Sequence, residues 1–403
     1  MSGAVDDTTI SHRIGTPFKR ALLRPLCAGI QQGHLRIVLP DGTVFDHHGV
    51  RPGSSGVLFL HRWRLLYRLF LGGHVAFGEA YVDGDWSSPD LVGLLTLAAD
   101  NDAGLAETVS GTLPTRLLNR LRHRLRSNTL RGSRRNIVEH YDLGNSFYAL
   151  WLDPGMSYSS ALYRRPEMTL EEAQAAKLER VLELLQLDGG DSVIELGCGW
   201  GGLAIRLAQG GARVTAITLS PAQRDYAAST IKTAGLSRQI DLRLEDYRQV
   251  SGRYDRIVSI EMLEAVGEAF WPVYFERVRS LLEPGGTAVL QVITIADERF
   301  GAYRRRPDFI QRHVFQGGML PSSSVLRAQI ARAGLALEKV ETFGDSYART
   351  LRDWRARFLA ARHEVAALRF SARFQRLWDY YLAYCEAGFR AGVIDVGLWQ
   401  LRG

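Results

Sequence analysis

At 403 residues the chain exceeds one average domain, and its 46% apolar side chains suffice for a large core. The net charge of +7 is carried almost wholly by arginine, the lysines being only Lys19, Lys177, Lys232 and Lys339. Arginine suits two-point contact with phosphate or carboxylate, so an anionic lipid surface or nucleic acid is the expected partner class. Cys27, Cys198 and Cys385 are scattered, and His47, His48 and His313 lack ligand spacing, which argues against a disulfide framework and a metal site and for a reducing cytoplasm.

Residues 1–20 are polar, carry no secretory apolar core and are expected to be disordered; no run of 18 apolar residues follows. The expectation is a protein that is soluble or sits on a membrane without spanning it. Leu35–Phe45 reads as a hairpin turning at Asp41-Gly42, and Gly56–Leu60 as a further strand. Between Arg62 and Leu71, Trp63, Leu66, Tyr67, Phe70 and Leu71 share a helical face with Arg62, Arg64 and Arg68 interspersed. Such a helix either lies on a membrane or packs on its own domain. Ala76–Trp86 is aromatic-rich and reads as a small lid. Residues 21–110 are thus expected to form a small α+β module associated with lipid.

Residues 111–135 form an arginine-rich linker: arginines 116, 120, 122, 124, 126, 131, 134 and 135 occur without one acidic residue. A solvated linker and an electrostatic anchor to anionic lipid are both open readings. No stacking platform or nucleic-acid motif accompanies the charge, so nucleic acid is not expected as a partner.

A larger α/β domain is expected over 136–403. Thr169 followed by Glu171 and Glu172 is a helix start, predicting a helix to Leu187. Ser192–Leu196 is a buried strand, followed by the glycine turn Gly197-Cys198-Gly199-Trp200-Gly201-Gly202 and a helix to Gln209. Strand, glycine turn and helix bring backbone amides and a helix N-terminus to a ligand. The spacing is Glu-x-Gly-x-Gly, with Glu195 inside the strand. An acid there suits a ligand bearing an amino group and positive charge better than a pyrophosphate. Further strands are predicted at Arg213–Leu219, Ile240–Leu244, Tyr254–Ile260 and Thr287–Ile295, the last after a Pro284-Gly285-Gly286 turn. Ser220 reads as an N-cap with Pro221 at the first helical position. Asp246 and Tyr247, at the end of the third strand, suit an adenine: a carboxylate for its amine and a ring for its face. The pattern is a doubly wound, Rossmann-like sheet whose ligands bind at the strands' carboxyl ends.

Several ordered motifs carry a family resemblance. They are His140-Tyr141-Asp142-Leu143-Gly144-Asn145, Met156-Ser157-Tyr158-Ser159-Ser160-Ala161, the glycine turn, Ile217-Thr218-Leu219-Ser220 and Glu261-Met262-Leu263-Glu264-Ala265-Val266-Gly267. Gly317-Gly318-Met319-Leu320-Pro321-Ser322 and Tyr381-Leu382-Ala383-Tyr384-Cys385 complete the set. Together they resemble the cyclopropane-fatty-acyl-phospholipid synthases and mycolic acid methyltransferases. The resemblance implies an S-adenosylmethionine (SAM)-dependent methyltransferase acting on a cis double bond of phospholipid acyl chains at the inner membrane surface. It assigns SAM contacts to Tyr141, Tyr158, Ser159, Gly197, Gly199, Thr218, Leu219, Ser220, Gln223, Asp246 and Tyr247. Catalytic roles fall on Glu264, Tyr347, Ser160 and His140, with a bound bicarbonate as proton acceptor. A partner reductase and a homodimer are left open by it.

The chain departs from the family pattern around that anion. Ser160 replaces a cysteine, Ala265 a histidine after the glutamate, and Ile293 a histidine after the late strand. Ser160 can still donate a hydrogen bond; the Ile293 side chain cannot. Methyl transfer is therefore expected more firmly than ring closure, with a methyl- or methylene-branched product as the alternative to cyclopropane. A small-molecule N-methyltransferase and a non-catalytic lipid- or SAM-binding homologue are the competing readings. Cys385 reads as a small core residue rather than a catalyst. The aromatic-rich C-terminal part, from Phe300 to Trp399, reads as an acyl tunnel or an aromatic core, and Arg304-Arg305-Arg306 as a headgroup contact.

Overall fold

The computed structural model describes residues 23–24, 26–108 and 143–403. The expected disordered N-terminus, the arginine-rich linker, His140 and Tyr141 all lie outside the described residues. Two compact units divide near Thr115.

The first unit is built on a four-stranded sheet of order β2-β1-β3-β4, with β1 Gln32–Val38, β2 Val44–His48, β3 Arg51–Leu60 and β4 Trp86–Ser87. β1 and β2 form the expected hairpin, and Gly42 takes the left-handed conformation its turn requires (φ 79°). β3 returns parallel to β1. The helix predicted from Arg62 begins at Arg64 and continues to Val82, with a break in helical geometry at Gly73. Ala76–Trp86 is accordingly not a lid. Its first half completes this helix, and Trp86 is buried, stacked on Phe77 at 4.2 Å and donating to the Phe77 carbonyl. The helix turns Leu65, Leu66 and Leu69 into the core and leaves Trp63, Tyr67 and Phe70 exposed. Its arginines are engaged: Arg64 and Arg68 reach the buried Asp85 at 2.6 and 3.0 Å, and Arg68 also meets Asp83. A buried carboxylate requires such partners.

The second unit is an α/β domain on a seven-stranded sheet of order β10-β11-β9-β8-β5-β6-β7. The strands β5 Ser192–Leu196, β6 Arg213–Thr218, β7 Ile240–Leu244, β8 Tyr254–Ile260 and β9 Leu282–Ile295 run parallel. β11 Ile394–Arg402 is antiparallel to β9, and β10 Ala336–Thr342 is antiparallel to β11. The order reverses direction between β5 and β8, so the ends of β5, β6 and β8 open onto the crevice where such sheets bind ligands. Pro284-Gly285-Gly286 falls inside β9 as an irregularity: Tyr254 pairs with Leu282 but Arg256 with Thr287, and Gly285 has φ 76°. The helix Leu170–Leu185 opens on a reciprocal capping box between Thr169 and Glu172.

The C-terminal aromatics divide between two cores. Trp354, Phe358, Trp378, Tyr381 and Phe389 join Phe147, Tyr148 and Trp151 in one cluster. Trp399 belongs instead to the core beside β8 and β9, with Phe300 and Tyr303 packed against it.

Candidate active site

The glycine turn after β5 is shaped for close approach. Gly197 and Gly199 have φ 82° and 54°, and nothing lies within 4 Å of where a Gly199 Cβ would stand. Just before it, Glu195 is buried, and its Oε2 has no hydrogen-bond partner among the described residues. Burial pushes its pKa up to about 8, against the opposing charge of Lys177. A carboxylate with one oxygen left open beside an open glycine turn fits the cationic amino-acid end of SAM.

β6 delivers the next group. Thr218 donates to the Gln223 side chain at 2.9 Å, and Ser220 caps the helix Pro221–Thr233 by accepting from the Gln223 amide. Thr218, Ser220 and Gln223 are all buried together, while Leu219 is half-buried. At the end of β7, Asp246 meets Arg248 through both oxygens, at 2.8 and 2.7 Å. Tyr247 is a core residue, edge-on to Tyr274 and beneath the Arg248 guanidinium at 5.3 Å. Neither side chain is arranged as the expected open carboxylate and free ring face.

The other motifs converge on the same end of the sheet. Trp200 of the glycine turn donates to Asn145 at 2.8 Å, joining it to the segment that follows His140 and Tyr141. Ser159 accepts from Lys177 at 2.7 Å, and its carbonyl accepts from Gln174 at 2.8 Å. Lys177 is fully buried; burial pulls its pKa down, countered by Glu261, Asp153 and Glu195. Its i, i+3 spacing from Gln174 on an amphipathic helix was the available signal for an inward-facing polar pair. Tyr158 shares a 2.9 Å hydrogen bond with Tyr381, and its ring stands against Tyr148, Trp151, Trp354 and Phe315.

At the end of β8 lie two carboxylates. Glu264 accepts from the Ile293 amide at 2.6 Å through Oε1, while Oε2 is buried with no partner among the described residues. Its backbone carbonyl accepts from the Met319 amide, so the Gly317–Ser322 motif braces it. Burial, then the charge of Glu261, pushes its pKa up to about 8. Glu261, unassigned by sequence reasoning, is the more heavily held. Its Oε1 accepts from the Ser160 amide at 2.8 Å and Gln291 Nε2 at 2.7 Å, and its Oε2 from the Tyr347 hydroxyl at 2.6 Å. Burial raises its pKa on balance, against the lowering pull of the Tyr347, Ser160 and Gln291 donors and of the Lys177 charge. The Ser160 hydroxyl donates elsewhere, to the Ala161 carbonyl. Tyr347 and Ser160 therefore meet Glu261 rather than Glu264. Tyr347, expected to hold a bicarbonate, is engaged by Glu261, the Ser160 hydroxyl is turned to a backbone carbonyl, and no donor is offered by Ala265 or the Ile293 side chain. A bound bicarbonate does not fit this arrangement.

Cys385 is half-buried on the helix Ala372–Arg390, and burial pushes its thiol pKa up, as suits a packing role. Arg304 pairs with Glu268 at 2.7 Å.

Known proteins share this fold and sequence. The model of the mycolic acid cyclopropane synthetase family matches residues 128–400. The tuberculostearic acid methyltransferase of Mycobacterium tuberculosis is 39% identical over 388 residues, spanning 91% of this chain and 87% of that protein. The cyclopropane-fatty-acyl-phospholipid synthase of Escherichia coli is 35% identical over 343 residues, spanning 83% and 84%. A crystal structure of a mycolic acid cyclopropane synthase complexed with SAH and CTAB aligns with a TM-score of 0.63 at 30% identity, covering 67% of this chain and 98% of that one.

Proposed function

The chain belongs to the cyclopropane and mycolic acid synthase family of SAM-dependent methyltransferases acting on lipids, and on that premise we propose its substrate and product. It methylates the cis double bond of an unsaturated phospholipid acyl chain and releases a methyl- or methylene-branched chain rather than a cyclopropane. The observation that carries this reading is Glu261, whose carboxylate takes the Ser160 amide and the Tyr347 hydroxyl, the latter a group that ring-closing relatives are expected to offer to bicarbonate. A 39% identical relative is a tuberculostearic acid methyltransferase, which supports the same product class.

When bound, SAM supplies an electrophilic methyl group. Gly197, Gly199, Glu195, Thr218, Ser220 and Gln223 would hold it at the ends of β5 and β6, with Tyr158 and Ser159 closing from the other side. An alkene is a weak nucleophile, so rigid alignment and exclusion of water must supply much of the rate. The rings of Tyr158, Trp354, Phe315 and Tyr381 present electron-rich faces near Tyr347, where positive charge develops on the acyl chain. Among the described residues no helix is long and apolar enough to cross a membrane. We place the enzyme on the inner membrane surface, where exposed Trp63, Tyr67 and Phe70 of the first unit are suited to the lipid interface.

The test is incubation of the purified protein with methyl-labelled SAM and vesicles of dioleoyl phosphatidylglycerol. Label is expected in the acyl chains. Label only in added soluble amines would replace this reading with N-methylation, and no transfer to either would favour a non-catalytic homologue.

A further inference from the structure

We infer that Glu261 is the proton acceptor of the reaction, a carboxylate built into the chain in the position of an external anion. This rests on the proposed methylation of an acyl double bond and names the group that completes it.

Glu261 follows the last residue of β8, at the carboxyl edge of the sheet. Its φ of 50° is a left-handed conformation that is unfavourable for a non-glycine residue. The conformation is held by the Glu261 amide, which donates to the Gln291 carbonyl at 2.9 Å. Such strain, at a half-buried carboxylate with three donors converging on it, is out of proportion to a packing role. The donors come from three separate segments: the Tyr158–Ala161 motif, β9 and the helix Gly344–Ala360. One of them, Tyr347, lies against Trp354 at 6.1 Å and Phe389 at 4.6 Å, so the carboxylate borders the aromatic cluster.

Its neighbour sets the division of labour. Two adjacent carboxyls do not readily both ionise, and both oxygens of Glu261 are met by donors where Oε2 of Glu264 has none among the described residues. The negative charge therefore resides on Glu261, and Glu264 is the neutral member. In the reaction the alkene π pair forms the new C–C bond to the methyl, the C–S pair leaves on sulfur, and a cation remains on the acyl chain. A 1,2-hydride shift carries the cationic centre to the carbon that bears the new methyl, and the Glu261 carboxylate takes a proton from that methyl. That C–H pair becomes the π bond of a branched alkene, and the neutral Glu261 acid returns its proton to solvent before the next turnover.

Two variants test this in the vesicle assay. Glu261→Gln keeps the size of the side chain but accepts no proton, so turnover is expected to fall by about 100-fold or more with SAH affinity unchanged. Glu261→Gly suits the left-handed backbone and leaves a cavity facing the Ser160 amide, Gln291 and the Tyr347 hydroxyl. Added formate or bicarbonate is expected to restore its turnover saturably, and to do nothing for Glu261→Gln, whose cavity is filled. Near-wild-type turnover in Glu261→Gln would overturn the inference, as would a folded, SAH-binding Glu261→Gly that neither anion rescues. Absence of lipid methylation by the wild-type protein would instead count against the proposed reaction itself.

Discussion

At the scale of the residue, the site is governed by carboxyls that the fold keeps out of water. Glu195 and Glu264 each have a pKa pushed from the ordinary 4.5 up to about 8, chiefly by burial. A carboxyl raised in this way binds its proton more tightly folded than unfolded. Its contribution to stability is full below about pH 4.5 and is lost progressively as pH rises to about 8, because the unfolded chain ionises first. Thermal unfolding of the ligand-free protein should show a midpoint falling over that window. Glu264→Gln, neutral at every pH, should flatten the fall; identical pH profiles for the two proteins would contradict the assignment. The motif residues Ser160, Glu264 and Tyr347 were legible in the sequence, but not their pairing. A motif fixes chain position, and Tyr347 lies 86 residues from the Glu261 carboxylate to which it donates. Lys177 was obscure for a related reason: a lysine in a charged amphipathic helix reads as solvated until Ser159 is seen above it.

At the scale of the element, local chemistry was the reliable guide. The Thr169–Glu172 box, the Ser220 cap and the hairpin turn at Gly42 all form where side-chain oxygens or a freely rotating glycine satisfy the backbone. β10 and β11 escaped notice because their pairing is long-range. β10 is a partly exposed, charged outer strand, and β11 becomes recognisable only when laid against β9. The glycine turn offers a sharp test of packing. Gly201 has φ 88°, and a Cβ there would stand 3.0 Å from the Ala227 Cβ on the facing helix. Gly201→Ala should therefore lower the denaturation midpoint at constant m, a loss of about 1–3 kcal/mol in unfolding free energy. Gly199→Ala meets no neighbour within 4 Å and should lose SAH affinity more than stability; equal destabilisation by the two would contradict this reading of the turn.

At the scale of the whole molecule, the sheet supplies a rigid edge, and the first unit carries a different surface. Its Arg64 and Arg68, which in the sequence suggested a basic membrane face, are committed to Asp83 and Asp85. Its exposed aromatics remain as the lipid-facing candidates. Replacing Trp63, Tyr67 and Phe70 together by alanine should weaken sedimentation with anionic vesicles and reduce transfer to vesicle lipid, while leaving SAH affinity intact. Unchanged vesicle binding would remove this face from the account.

The most direct test of the central claim is the structure of the product. The protein would be expressed in a host lacking its own synthase and fed methyl-deuterated methionine, and the membrane fatty acids resolved by gas chromatography and mass spectrometry. The account predicts a labelled methyl- or methylene-branched chain, with the methylene form keeping two deuteriums on the branching =CD2 carbon. A labelled cyclopropane as the sole product would contradict it, and would mean that Glu261 and Ser160 complete a ring-closing site after all.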